Sequence, residues 1–333
     1  MKLISNLQRS FGRPFIAAIG ACVIVGGWPQ WSWGQAARAQ STSTQGTSTQ
    51  SARPQSAGTQ WPVNALDSNG VRLTLASPAN RIVALAPGLT ELVYSAGAGA
   101  KLVARSSYTD YPPQAAGLPE VAGPGRVDHE LLLAVRPDLV LAWGSGNPAQ
   151  ALARIARRGV PIFVAEPRQL SDLAGLVRAI GTLAGTPDPA DAAATAFELS
   201  VAGLTPKRGH TGHADHPTRT YIEIWPEPAL TVNGMHLISD IVRRCGGENV
   251  FAALPALTPR VGLEDVIAAR PEILIASTVT TLPALAERWK MRRRLIPAIQ
   301  TGRIVMVNAD VLHRQSLRII EGAQIVCRGM RAS

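Results

Sequence analysis

From Arg81 onward, short apolar runs alternate with longer stretches of helical period. Residues 82–85, 101–104, 139–142 and 162–165 read as short buried strands. Between them lie four helical segments: 89–96, ended by Gly97; 131–135, with Asp128 as its N-cap; 148–158; and a helix capped by Ser171 that runs to about Leu183. Strands spaced by helices in this way predict parallel pairing, with helices on both faces of the sheet. Ahead of this pattern, residues 63–75 read as a hairpin turning at Asn69-Gly70, a dipeptide that accepts the positive φ of a tight turn.

The stretch 188–205 predicts a helix that joins two halves of the chain. Asp188 is a good N-cap, and Pro189 occupies the first helical position, where its missing N–H costs nothing. Asp191 suits the helix dipole, and Ala190, Ala192, Ala193, Ala194 and Ala196 are strong helix formers. Gly203 and Pro206 mark its end. Such a helix spans roughly 25 Å. Taken alone it reads equally well as a surface helix within one domain; the flanking halves favour a bridge. Glu130, Ala134, Arg136, Pro137, Asp138 and Ala142 recur as Glu264, Ala268, Arg270, Pro271, Glu272 and Ala276, at a constant offset of 134 residues. A capped helix, an Arg-Pro-acid turn and a buried strand therefore occur twice. Residues 159–164 are also echoed at 302–307. Two lobes on one βα plan account for this better than a solenoid, which needs more repeats. The expected fold class is α/β: two Rossmann-like βα lobes with central, mostly parallel sheets, joined by one rigid linking helix. The expected boundaries are 1–39 for a signal peptide, 40–60 for a flexible linker, 61–187 for the N-terminal lobe, 188–205 for the linking helix and 206–333 for the C-terminal lobe.

Composition agrees with two lobes. The chain has 333 residues, 46% hydrophobic and 17% charged, which excludes global disorder. Lys2, Arg9 and Arg13 precede an apolar run over residues 15–27, and Ala37-Arg38-Ala39 fits a small-x-small cleavage site. Export by a cleavable signal peptide follows, with lipid attachment at Cys22 as the alternative. Loss of the four basic residues of this segment takes the formal net charge from +10 to +6. No nucleic-acid motif accompanies that charge, and Arg154, Arg157 and Arg158, like Lys290, Arg292, Arg293 and Arg294, read as solvated helix faces. Residues 40–60 are rich in Ser, Thr, Gln, Gly and Pro and read as a linker. After export Cys245 and Cys327 remain, which suggests one disulfide or else two buried thiols.

Candidate chemistry gathers where the strands end, the usual ligand position in open α/β sheets. Pro87, Tyr108 within the run 106–113, Trp143 and Glu166 occupy these exits in the first lobe; Trp225, Ser277 and Asp310 do so in the second. Three large aromatics beside a few polar groups suit a bulky organic ligand, although each tryptophan alone could be core or hinge packing. Signals for an enzyme are absent: there is no Gly-x-Ser-x-Gly, no His-Glu-x-x-His and no Gly-x-x-x-x-Gly-Lys. His210, His213 and His216 lie in a polar loop with only Asp215 in support, and read as loop residues, not metal ligands.

The run from Ser106 to Pro113 with Gln114-Ala115, Ala142-Trp143 with Gly146-Asn147, Cys245 through Phe251, Pro87 through Leu92, and 310–327 together resemble the periplasmic cobalamin-binding proteins of ABC importers, over residues 81–329. That wider family also binds haem and siderophores. The resemblance implies a two-lobed fold with a rigid helical backbone, no catalysis, no cofactor and no metal site. It implies a corrinoid as the transported ligand, contacted by Pro87, Tyr108, Trp143, Asp310 and Arg314; Asp310 and Arg314 would exchange hydrogen bonds with peripheral amides, or else form a structural pair. It implies Glu91 and Glu248 as exposed carboxylates that dock on arginines of an inner-membrane permease with its ATPase, and a Cys245–Cys327 disulfide. The expected state is a periplasmic monomer. Relatives carry tryptophans where this chain has Pro124 and Thr258. A haem ligand would need an axial Tyr or His, a role open to Tyr108.

Overall fold

A computed structural model of the chain describes residues 60–204, 216–277, 282–290 and 294–331. The expected signal peptide, Cys22, nearly all of the expected linker, and His210 and His213 lie outside the described residues. The chain enters through the hairpin β1 (Val63–Leu66) and β2 (Arg72–Leu75). Gly70 takes φ +75°, and the Asp67 carboxylate accepts from the N–H groups of Asn69 and Val71.

The first lobe is built on β3 (Ile82–Ala84), α1 (Pro87–Ser95), β4 (Leu102–Ser106), β5 (Glu120–Gly123), β6 (Arg126–Val127), α2 (His129–Ala134), β7 (Leu139–Trp143), α3 (Ala149–Ala156) and β8 (Ile162–Ala165). Its six strands run in the order β6-β5-β4-β3-β7-β8, parallel except for the β5–β6 pair. That pair is not legible in the sequence, because it is short and carries Gly123, Pro124 and Gly125 in place of an apolar run. After α4 (Leu170–Ala184) and α5 (Pro187–Ala202), the second lobe follows with β9 (Thr218–Glu223), the small hairpin β10 (Trp225–Pro226) and β11 (Ala229–Leu230), α6 (Leu237–Arg244), β12 (Gly247–Asn249), α7 (Leu263–Ala269), β13 (Ile273–Ala276), α8 (Leu282–Trp289), α9 (Pro297–Gln300), β14 (Ile304–Met306), α10 (Ala309–Leu312) and α11 (Ile319–Arg331). Its sheet runs β12-β9-β13-β14, all parallel.

Strand periodicity divides the core. Leu139 and Leu141 of β7 face the same apolar body as Ile273 and Ile275 of β13, whereas Val140 and Ala142 face a separate outer cluster of the first lobe, and Leu274 and Ala276 one of the second. Successive strand residues point to opposite faces, so one strand serves two layers. The shared inner body runs through α1, α4, α5, α6 and α11. The repeat inferred from sequence is physical. Arg136 and Arg270 both adopt positive φ, +44° and +45°, where α2 and α7 end. The Asp138 carboxylate accepts from Arg81 N–H as the Glu272 carboxylate accepts from Arg219 N–H. The Arg81 and Arg219 guanidinium groups each close the loop on a carbonyl, Val135 O and Ala269 O, both at 2.7 Å.

The linking element is a helix pair. Helix α4 starts at the second lobe, where Leu170 N–H donates to the Asp240 carboxylate of α6, and ends at the first, where Lys101 Nζ donates to Ala184 O. Helix α5 returns: Thr186 donates to Ala96 O, and Leu204, just past its end, accepts from Arg331. At their crossing a Cβ on Gly181 would sit 2.2 Å from the Ala190 Cβ, so a glycine and an alanine bring the two backbones together. The helix begins at Pro187 with Thr186 as N-cap, two residues ahead of the expected cap Asp188. Likewise the N-cap of α4 is Gln169 and not Ser171, with the Asp172 carboxylate accepting from the Gln169 N–H at 3.0 Å. Arg178 of α4 grips Asp191 and Glu198 of α5, but these groups are exposed and add little. Cys245 at the end of α6 and Cys327 of α11 are joined in a disulfide.

Two outcomes follow. Gly181→Val should force the helix pair apart and destabilise the fold by about 2–3 kcal/mol, the usual cost of overpacking, read by urea denaturation. Replacing Cys245 and Cys327 by serine should cost about 4 kcal/mol in the chain-entropy account for a separation of 82 residues, read as a lower denaturation midpoint.

Candidate functional site

A cavity of about 440 Å³ opens where the carboxyl ends of β3, β4, β7 and β8 face α10 and the segment that follows it. Its size is ordinary for an organic ligand. Pro87, Tyr108, Trp143, Asp310 and Arg314 all line it, so five residues spread over more than two hundred positions converge. Trp225 is not among them. It lies half exposed in the β10–β11 hairpin, its indole N–H donating to Glu227 O at 3.0 Å.

Each wall residue has a local cause. Pro87 is the first residue of α1, where its ring fits the helix start. Trp143 ends β7. A Cβ on Gly146 would fall 1.9 Å from its ring, so glycine is required to seat the indole. Asn147 accepts from Trp143 N–H at 2.6 Å and donates to Leu85 O at 3.1 Å, fixing the strand exit. The Trp143 indole N–H is buried and has no hydrogen-bond partner among the described residues. Tyr108 stands 74% exposed at φ +60°. A bulky residue in that region is strained, and such strain gathers at functional positions. On the opposite wall, Asn308 caps α10 by accepting from Asp310 N–H at 2.7 Å.

Arg314 is the electrostatic centre. Its guanidinium donates to the Asp310 carboxylate at 2.8 Å, to Tyr108 O at 3.3 Å, to Glu91 at 3.4 Å and to Asp110. The expected Asp310–Arg314 pair therefore exists, within a larger group. The guanidinium holds the Asp110 carboxyl below its ordinary range. Asp110, His313 and Gln315 also line the cavity and were not singled out from the sequence. Asp110 lies inside the run 106–113 that was read as one motif, and His313 directly precedes Arg314; proximity to named residues was the only available signal.

Glu91 requires a correction. Sequence reading placed it on the surface as a docking carboxylate, but it is 3% exposed. It sits on the inner side of α1 and accepts from Ser316, Arg314 and Arg318, so it is closed off between the lobes. Glu248 is exposed, on the edge strand β12. Pro124 and Thr258 are exposed and line no part of the cavity.

His313, on the cavity wall, is hydrogen-bonded to Ser277. Burial pushes its imidazole down to about 4, with Asp310 opposing. His236 caps α6, its Nδ1 accepting from Ile238 N–H at 3.1 Å; burial, helped by the charges of His313 and Arg168, pushes it to about 4 as well. Both rings are neutral at pH 7. Among the described residues no group of three or more His, Cys, Asp and Glu is placed to hold a metal ion, and no helix is long and apolar enough to cross a membrane.

With this geometry in hand, comparison with known proteins is informative. The family described as periplasmic binding protein matches residues 82–311. A vitamin B12-binding protein of Yersinia pestis is 35% identical over 260 residues, 78% of this chain and 89% of the relative. The crystal structure of the periplasmic vitamin B12 binding protein BtuF of Vibrio cholerae superposes with a TM-score of 0.70 at 32% identity, covering 77% of this chain and 98% of that one. The periplasmic heme-binding protein RhuT from Roseiflexus sp. RS-1, in apo form, has a TM-score of 0.64 at 22% identity, covering 76% and 98%, and shares the fold.

The histidines make stability pH-dependent in a defined direction. The unfolded chain takes up protons near pH 6.5, whereas the folded rings resist them until about 4. Their contribution is therefore lost as pH falls between those values. His236→Asn keeps the cap acceptor and removes the titration, so its melting temperature should fall less between pH 7 and pH 4 than that of the unaltered protein.

Proposed function

The chain belongs to the periplasmic binding protein family, and from that premise we propose that it captures cobalamin or a related corrinoid in the cavity between its lobes and delivers it to an ABC permease. It is a solute-binding transport protein and not an enzyme. The observation that carries the ligand reading is the convergence of Pro87, Tyr108 and Trp143 on one wall with Asp310 and Arg314 on the other. Flat apolar surfaces cover a macrocycle, and the open valences of Asp310 and the Arg314 guanidinium suit peripheral amides. Similarity to vitamin B12-binding proteins along most of the chain supports the same ligand.

Docking follows from the internal repeat. With Glu91 enclosed, the carboxylates at matching places in the two lobes are Glu130 and Glu264, each exposed in the first turn of its helix, α2 or α7. Two such charges, one per lobe, orient the protein on a basic partner surface and speed encounter. Glu248 is a further exposed carboxylate on the second lobe. Export uses the leader ending near Ala39, with a lipid anchor on Cys22 as the other route; the mass of the mature protein separates them. The transported form is a monomer with no resident cofactor.

Calorimetry with cyanocobalamin and with haemin tests the ligand. Cyanocobalamin should bind, and Trp143→Ala should weaken it at least tenfold, about 1.4 kcal/mol. Tight haemin binding without cyanocobalamin binding would overturn the assignment. Reversing Glu130 and Glu264 to lysine should leave affinity unchanged and reduce uptake by cells; an equal loss from Glu248→Lys alone would move the docking site to β12.

A further inference from the structure

The two lobes are tied a second time, away from the helix pair, by Glu91. Its carboxylate lies on α1, one turn behind Pro87 at the cavity wall, and every side chain that bonds it comes from the other lobe. Ser316 Oγ donates to Oε2 at 2.6 Å, and Arg314 and Arg318 each donate to Oε1 at 3.4 Å. Arg318 also lies over the Tyr111 ring, 3.8 Å from its centre, while Arg314 reaches Asp110 and Tyr108 O. Thus one segment, residues 314–318, holds both α1 and the loop that carries Tyr108. The backbones are drawn equally close. A Cβ on Gly88 would fall 3.0 Å from Gln315 N and 3.2 Å from Gln315 O, so this approach tolerates only glycine on α1.

Of the carboxylates around Arg314, Glu91 is the enclosed one. Asp110 and Asp310 are 68% and 52% exposed, whereas Glu91 and Arg314 are 2% and 12%. Nη1 of Arg314 is shared by Asp110 and Glu91, and Nη2 by Asp310 and Tyr108 O. A ligand can take the places of the exposed Asp110 and Asp310, whereas Glu91, bonded from the inner side, stays in place. We propose that Glu91 is a positioning residue: it clasps the lobes at one separation and fixes Arg314, so that the guanidinium meets the ligand already oriented. Orientation before binding lowers the ordering cost of the complex. This inference rests on the corrinoid reading for its affinity arm, but its geometric arm does not.

The test uses Glu91→Gln. Burial raises the Glu91 carboxyl in spite of its donors, so loss of the charge is compatible with folding, as an unchanged melting temperature will show. Spin labels on cysteines at Gln150 of α3 and Gln300 of α9, both exposed, report the distance between lobes. We expect a narrow distribution for the unaltered protein and a broader one for Glu91→Gln, with no ligand present. Cyanocobalamin affinity should fall at least tenfold in Glu91→Gln. In an Arg314→Gln background the same change should cost less than twofold more, because Glu91 acts through Arg314. Glu91→Leu, which also removes the acceptors, should broaden the distances further; where it does not fold, Glu91→Gln decides. An unchanged distance distribution in Glu91→Gln overturns the clasp. So does full additivity with Arg314→Gln. Failure of the unaltered protein to bind cyanocobalamin overturns the ligand reading and leaves the distance measurement to judge the clasp.

Discussion

The whole arrangement depends on how closely α4 and α5 can approach. Gly181 and Ala190 leave no side chain between the helices where they cross, so two antiparallel helices act as one broad beam. Because both run from lobe to lobe, the apolar face of each sheet can be buried against the same beam. The inner core is then continuous from β7 to β13, and neither lobe has to bury that face alone. A single bridging helix would leave each sheet half covered. The close approach is therefore what lets two similar βα units share one core.

Local contacts hold the groups that line the cavity. Trp143 keeps its place at the wall because Gly146 leaves room for its ring and Asn147 holds its strand exit. Tyr108 keeps a strained backbone because its carbonyl is held by Arg314 from across the cleft. The arginine is surrounded by three carboxylates, one enclosed and two open. The open ones exchange with solvent or ligand; the enclosed one does not. The proposed recognition of a flat, amide-rimmed guest rests on this division of labour more than on burial of area.

The internal repeat shows what a duplicated unit preserves and what it gives up. The Arg-Pro-acid turn is kept in both halves because it solves a backbone problem: these two helices run out through a positive-φ arginine, and their last carbonyls need a donor. Arg81 and Arg219 supply that donor in each lobe. Lobe-specific chemistry lies at the strand exits, where the residues differ: Trp143 ends β7, and the matching place after β13 is Ser277.

Sequence alone determined most element types, the parallel pairing and the duplication, because each rests on local signals: apolar periodicity, caps, turns and short motifs. It placed Pro87, Tyr108, Trp143, Asp310 and Arg314 as candidates because they follow strands or match a motif. It misplaced Trp225, which also follows a strand but turns out into a hairpin, and it misjudged Glu91, whose helical position does not reveal what packs against it. Burial between lobes is a property of segments two hundred residues apart, so only the tertiary structure decided that Glu91 faces Arg314, Ser316 and Arg318. The same holds for the partnership of α4 with α5: a glycine in a helix reads as a weakness until the alanine it must meet is known.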